Sequence, residues 1–318
     1  MSRLASIDIG TQTIRLLVAD AGNNGKIVPI YRDRSIVRLG QGMNESKQLQ
    51  NEPMNRALSC IKTFVMVARQ KGAEHIYAVA TACVRDAVNG RAFLNNVLTE
   101  TNLLVRLVTG EEEANLSLKG VQSVFNDTPN LSLILDIGGG STELILTSNQ
   151  SIECVESIPL GVVTLSEQYL QHEPPLKDDL NILNHTIRSL ILTDSNIINN
   201  LIKSNYQNVR IIGTAGTVTT LAAMDLKLID YNIDEVNKHI LSYNYLNYLY
   251  NMIVKLNYKE RIDLPGLEPG REIVIIAGTA IILTMMALLN VQELSVSDAG
   301  LLEGILLEKA GVNTGVNT

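Results

Sequence analysis

Close to the start of the chain, Ser6-Ile7-Asp8-Ile9-Gly10-Thr11-Gln12-Thr13-Ile14-Arg15-Leu16-Leu17-Val18 reads as an apolar strand ending on Asp-Ile-Gly. A turn of small and hydroxyl residues follows, and then a second apolar strand. The layout returns at Ile134-Leu135-Asp136-Ile137-Gly138-Gly139-Gly140-Ser141-Thr142-Glu143-Leu144-Ile145-Leu146. Each run is a hairpin signal. Asp8 and Asp136 stand about one domain's length apart, so the pattern predicts two related domains, each opening with a hairpin.

The remaining periodicity alternates strands with helices. Strands are expected at Lys26–Ile36, His75–Thr81, Leu104–Val108 and Val209–Gly213. Helical spacing covers Met54–Lys71, Glu111–Val124, Val162–Leu170, Lys177–Ile202, Val218–Met224 and Ser242–Val254. That alternation indicates an α/β architecture. The repeat divides the chain into domains at 1–124 and 125–297, then a helix over 298–310 and a frayed tail over 311–318. Ile273–Val291 is apolar enough to suggest a membrane span, but Gly278, Thr279 and Thr284 interrupt it, and a buried helix is the better reading.

Composition narrows the class. Of 318 residues 46% are apolar and 19% charged, the balance of a soluble globular chain, with no Trp and three Phe, so Ile, Leu and Val must fill the cores. The net charge of −7 argues against coating nucleic acid and leaves room for a small anionic substrate in a locally positive site. Cys60, Cys83 and Cys154 have neither metal nor disulfide spacing, and no signal-peptide pattern opens the chain; a reducing cytoplasm, with no membrane partner, is the expectation. Nothing sets the oligomeric state; a homodimer is compatible with the chain.

Three glycine-rich turns are candidate phosphate cradles: Gly10-Thr11, Gly138-Gly139-Gly140-Ser141, and Gly213-Thr214-Ala215-Gly216 leading into a helix. Glycine lets backbone N–H groups converge on an anion, and a helix N-terminus adds a favourable dipole. An aspartate beside such a turn, Asp8 or Asp136, suits Mg²⁺. Ordinary tight turns explain one such site; two of the same layout favour function. In Thr109-Gly110-Glu111-Glu112-Glu113, Thr109 and Glu112 form a capping-box pattern, and Glu111 suits the helix dipole. Glu113 is needed by neither, which makes it the candidate general base. Aligning the hairpins sets Arg15 against Glu143, a cation to neutralise phosphate and a carboxylate to orient water or metal. Arg38, Arg85 and Arg271 are further phosphate candidates, although lone arginines are more often surface residues.

With these residues assembled, the sequence resembles the exopolyphosphatase/guanosine pentaphosphate phosphohydrolase (Ppx/GppA) family. Asp8-Ile-Gly-Thr-Gln-Thr-Ile-Arg15, Arg38-Leu-Gly-Gln-Gly, Ala80-Thr-Ala-Cys-Val-Arg85-Asp86, Gly110-Glu-Glu-Glu113-Ala, Asp136-Ile-Gly-Gly-Gly-Ser-Thr-Glu143, Gly213-Thr-Ala-Gly-Thr, Leu264-Pro-Gly-Leu-Glu-Pro-Gly-Arg271 and Val296-Ser-Asp-Ala-Gly-Leu-Leu-Glu-Gly follow in that family's order. The resemblance implies a two-domain actin-like ATPase (ribonuclease H-like) fold with an interdomain cleft. It implies Mg²⁺-dependent hydrolysis of terminal phosphoanhydrides, with polyphosphate or guanosine polyphosphate as substrate, and a last helix returning to the first domain. By the same resemblance Glu113 is the catalytic base, Glu143 its carboxylate partner and Arg15 a recognition residue. Glu272-Ile273 stands where the family often has Ala-Asp, which puts the role of that Asp in doubt. The chain resembles the short, two-domain members. Rival readings are an actin-like ATPase or kinase, which would need an acceptor-activating Asp, and a guanosine polyphosphate sensor with weak catalysis.

Overall fold

The structure is a computed structural model that describes residues 2–22, 27–43, 47–125, 131–149, 151–204 and 209–312. Two compact units divide the chain: residues up to Ser123 together with the segment from Ala299 onward, and Val124–Asp298.

In the first unit the opening hairpin is β1 (Ser2–Ile9) and β2 (Thr13–Ala21), followed by β3 (Ile27–Ile36), β4 (His75–Ala80) and β5 (Val105–Leu107). Their order in the sheet is β3-β2-β1-β4-β5, antiparallel across the hairpin and parallel from β1 through β4 to β5. Alternation along β1 sends Ala5, Ile7 and Ile9 into one core with helices Asn51–Gln70 and Gly90–Thr101. Leu4 turns to the opposite face, against Leu302, Leu306 and Ala310 of helix Leu301–Val312. Both faces are covered, which is why these strands are near-continuous apolar runs.

Helix Leu301–Val312 is tied down by Ser6, whose hydroxyl donates to the Leu302 carbonyl at 2.9 Å, and by Glu303, which pairs with Arg32 at 2.6 Å and accepts from the Gly300 N–H. It crosses helix Gly110–Val124 backbone to backbone. A Cβ on Gly120 would lie 1.9 Å from the Gly300 carbonyl oxygen, and one on Gly304 1.8 Å from that of Leu116. No other residue fits at either point.

The second unit repeats the plan. β6 (Leu131–Ile137), β7 (Thr142–Ser148), β8 (Ser151–Ile158), β9 (Arg210–Thr214), β10 (Ile240–Ser242) and β11 (Glu293–Val296) form a sheet of order β10-β11-β9-β6-β7-β8. β6, β9 and β11 are parallel, and the β6–β7–β8 meander is antiparallel. The likeness extends to detail. Gly10 N–H donates to the Thr13 carbonyl and Gly138 N–H to that of Ser141. The register against the third strand slips after Val18 of β2, in its pairing with β3, and after Leu146 of β7, in its pairing with β8, the same step beyond each aspartate. The actin-like α/β fold expected from the sequence is the fold found.

Several boundaries differ from expectation. The helix expected over Lys177–Ile202 is two, Lys177–Asp194 and Asn196–Lys203. Ser195 breaks it: its hydroxyl accepts from the Ile198 N–H and donates to Glu156 of β8, whose carboxylate also takes the N–H groups of Asn196 and Ile197. Lys26, placed in a strand from sequence, lies outside the described residues. So does the expected tail beyond Val312, while the helix before it reaches Val312. Ile275–Leu288 is a helix buried in the core of its unit, and among the described residues no helix is long and apolar enough to cross a membrane.

Candidate active site

In both units the candidate residues gather at the carboxyl ends of the parallel strands, where open α/β sheets bind their ligands. In the first unit Asp8 closes β1. The turn Gly10–Thr13 follows, and the segment after β3 folds back over it, with the Arg38 N–H on the Gln12 carbonyl and the Gly40 N–H on that of Thr11. Arg38 itself adopts a left-handed backbone, φ 51°. Beyond β4, helix Ala82–Asp86 carries Arg85, and beyond β5, helix Gly110–Val124 carries Glu113 in its first turn.

Asp8 and Arg15 are register partners, and the guanidinium donates to Asp8 Oδ2 through Nε at 2.9 Å and Nη2 at 2.7 Å. Arg15 therefore compensates a buried carboxylate. Asp8 Oδ1 is buried and has no partner among the described residues. Glu113 is 9% exposed, with Arg85 Nη1 at 3.7 Å from its Oε2; Arg85 is anchored by a hydrogen bond to the Val108 carbonyl. The Cys83 thiol, buried under this site and hydrogen-bonded to Thr11, is pushed up to about 12, by burial first and then by the nearby negative charges of Asp8 and Glu113. It is packing, not a nucleophile.

The capping box read from sequence is present. Glu112 N–H donates to the Thr109 hydroxyl at 3.1 Å, and Thr109 N–H donates to Glu112 Oε2 at 2.8 Å. The backbone hydrogen bond from Thr109 holds the Glu112 carboxyl below the usual carboxylate range. Its stabilisation is thus full above the ordinary carboxylate pKa and lost as pH falls through the depressed value. Glu112→Ala should cost about 1 kcal/mol at neutral pH, a cap's usual contribution. Urea melts at neutral and acid pH check this: the gap from wild type should close in acid.

In the second unit Asp136 pairs in register with Glu143 on β7 and with Thr214 on β9. The two carboxylates are 7% and 1% exposed, directly opposite each other. Like charges so placed repel, whereas the equivalent pair in the first unit, Asp8 and Arg15, is neutral. Ser141 and Ser157 both donate to Glu143 Oε1, at 2.8 and 2.9 Å. The Gly138–Ser141 turn sits beside them. Beyond β9, Gly213 and Thr214 lead into helix Ala215–Asp225, entered through Ala215 at φ 67°.

Arg271 lies over the start of that helix. A Cβ on Gly216 would meet its Nη2 at 1.9 Å, so glycine is what admits the guanidinium. Arg271 is buried and bound through Nε to Glu268 Oε2 at 2.9 Å. Glu272, at the departure from the family pattern, accepts from the Gly270 N–H and so fastens the turn before Arg271. Ser157 and Glu268 were not singled out from sequence. Glu268 lies within the motif ending at Arg271; Ser157 carries no local signal and is found only through the β7–β8 register.

Hard oxygen donors, two of them buried like charges on neighbouring strands, suit a divalent cation that keeps several waters. Among the described residues no cluster of three or more metal-ligating side chains occurs, so the protein would supply only part of such a shell.

A profile of the Ppx/GppA phosphatase family matches residues 17–312. The chain is 31% identical to a bifunctional 3-dehydroquinate synthase/phosphatase of Fusobacterium nucleatum, over 96% of its own length but 46% of that protein's. It is 27% identical to exopolyphosphatase 2 of Mycobacterium tuberculosis, covering 98% of this chain and 99% of that one. Among solved structures, the Aquifex aeolicus member of the Ppx/GppA family superposes with a TM-score of 0.79 at 28% identity, covering 100% and 99% of the two chains. An exopolyphosphatase from Cytophaga hutchinsonii superposes at 0.87 and 26% identity, covering 97% and 98%.

Proposed function

We propose that this chain, which belongs to the Ppx/GppA phosphatase family, hydrolyses terminal phosphoanhydride bonds, of inorganic polyphosphate first and of pppGpp, giving ppGpp, second. The observation that carries the reading is the buried Glu113 at a helix start, alongside Arg85 and a glycine turn of the hairpin type found in both units. The exopolyphosphatases among its relatives support polyphosphate as the substrate class.

Water attacks the terminal phosphorus in line with the bridging oxygen. As the new P–O bond forms, Glu113 accepts the water's proton, the bridging P–O bond breaks, and the shortened chain leaves with the electron pair. In the first unit Arg85, Arg38 and Arg15 would supply cations for non-bridging oxygens and the Gly10 turn neutral donors; in the second, Arg271 and the N–H groups of the Gly138–Gly140 and Gly213–Gly216 turns are the candidates for the same roles. Mg²⁺, when bound at Asp136 with Glu143 behind it or at Asp8 Oδ1, would offset charge on the leaving oxygens. Cytoplasmic residence and a homodimer belong to the same proposal.

Phosphate release from polyphosphate, pppGpp, ATP and pyrophosphate, measured side by side with Mg²⁺ and with EDTA, tests it. We expect polyphosphate and pppGpp to be cleaved well ahead of ATP and pyrophosphate, and EDTA to abolish turnover reversibly. Full activity in EDTA would remove the metal from the reading. Release from ATP alone would favour an ATPase instead.

A further inference from the structure

Each sheet has one transverse row that runs through its aspartate. In the first unit the register partners are Val79, Asp8, Arg15 and Arg34, on β4, β1, β2 and β3. In the second they are Thr214, Asp136, Glu143 and Ser157, on β9, β6, β7 and β8. The first row ends on two arginines; the second is polar or acidic from end to end and has no basic member.

Within the second row Glu143 is the most demanding residue. A carboxylate 1% exposed loses nearly all its hydration and needs donors in place of water. Two of them are the hydroxyls of Ser141 and Ser157, and both reach the same oxygen, Oε1. They come from different directions, Ser141 from the hairpin turn and Ser157 from the neighbouring strand. One donor leaves a carboxylate free to swing about that bond; a second from another direction removes the freedom. Ser141 belongs to the glycine turn and moves with it, whereas Ser157 belongs to the regular β7–β8 ladder. Ser157 itself is solvent-exposed, so the fold does not need its hydroxyl for packing.

We propose that Ser157 is a positioning residue, which fixes the Glu143 carboxylate in a single orientation toward Asp136 and the Gly138–Ser141 turn, and that turnover depends on it. The proposal rests on the phosphohydrolase reading for its kinetic part only. Its structural part, the fixed carboxylate, holds or fails independently of any substrate.

The test uses the intact protein with Ser157→Ala and Ser157→Thr. Side-chain scalar couplings of Glu143 should report one rotamer in the wild type, averaging in the alanine variant, and one rotamer again in the threonine variant, which restores the hydroxyl. With polyphosphate, Ser157→Ala should lower kcat about tenfold, with KM within about twofold, because a misplaced group costs rate more than ground-state binding. Ser157→Thr should lie within about twofold of wild type on both. The melting temperature should fall by a few degrees in Ser157→Ala, which takes one donor from a buried carboxylate, and return close to the wild-type value in Ser157→Thr. A Glu143 side chain still fixed in Ser157→Ala would overturn the proposal whatever the kinetics. So would a threonine variant as impaired as alanine, or a loss confined to KM or stability. Absence of turnover in wild type would sink the phosphohydrolase reading, and the couplings would still decide the role of Ser157.

Discussion

Glu113→Gln should lower kcat at least about a hundredfold while KM and melting temperature hardly move. The substitution keeps shape and hydrogen-bonding atoms and removes the basic oxygen; a positioned general base contributes roughly 10²–10⁴ in rate. The helix that carries it keeps its cap, because Thr109 and Glu112 close the capping box without Glu113. Arg85 stays anchored on the Val108 carbonyl, so phosphate binding should survive. Steady-state phosphate release, with a thermal melt beside it, settles the point. Activity near the wild-type value would deny Glu113 the proton and leave it as a buried partner of Arg85.

Glu173→Ala should be strongly destabilising. Arg261 is 1% exposed, and its Nη2 donates to both oxygens of Glu173, at 2.7 and 2.8 Å. Among the described residues its Nε has no hydrogen-bond partner and Nη1 meets the Ile253 carbonyl at 3.4 Å, so no second carboxylate is bonded to the guanidinium. Removing the partner of a buried charge strands it and costs up to about 3–5 kcal/mol, and because the Glu173 side chain is itself 24% exposed the loss should fall at the lower end. Arg261 lies in the short helix Tyr258–Ile262, whose chain runs on through Leu264 and Glu268 to Arg271. The loss should therefore reach activity through Arg271. Urea denaturation of Glu173→Ala and of Glu173→Ala/Arg261→Met separates the causes: the double variant should regain much of the stability, since no buried charge remains. Equal destabilisation in both would assign the effect to lost packing.

What was legible in the sequence follows from locality. The hairpins, the aspartates ending β1 and β6, and the capping box at Thr109 and Glu112 are short-range patterns, and the structure has them where the pattern put them. The buried helix Ile275–Leu288 was legible for the same reason. The break at Ser195 was not, because apolar spacing runs through it and the residue that enforces it, Glu156, is on β8. β8 itself is an exposed, charged edge strand with weak alternation, and β11 has only four residues. The pairing of Asp8 with Arg15, and of Glu143 with Ser157, needs a register. The Gly10 and Gly138 turns announce theirs by glycine, and Arg15 and Glu143 were set in equivalent places; Ser157 meets Glu143 only after the register of β7 against β8 has shifted at Leu146, a step that no local pattern announces.

Helix Leu301–Val312 covers one face of the first sheet and meets helix Gly110–Val124 through bare backbone at Gly120 and Gly304. It is nevertheless synthesised after the whole of Val124–Asp298. On the ribosome, where domains usually fold as they emerge, the order is reversed here: Val124–Asp298 is contiguous and can close its core while the first unit waits, with Leu4, Leu17 and Ala19 uncovered. A nascent chain stalled before Ala299 is thus the state most exposed to chaperones and aggregation.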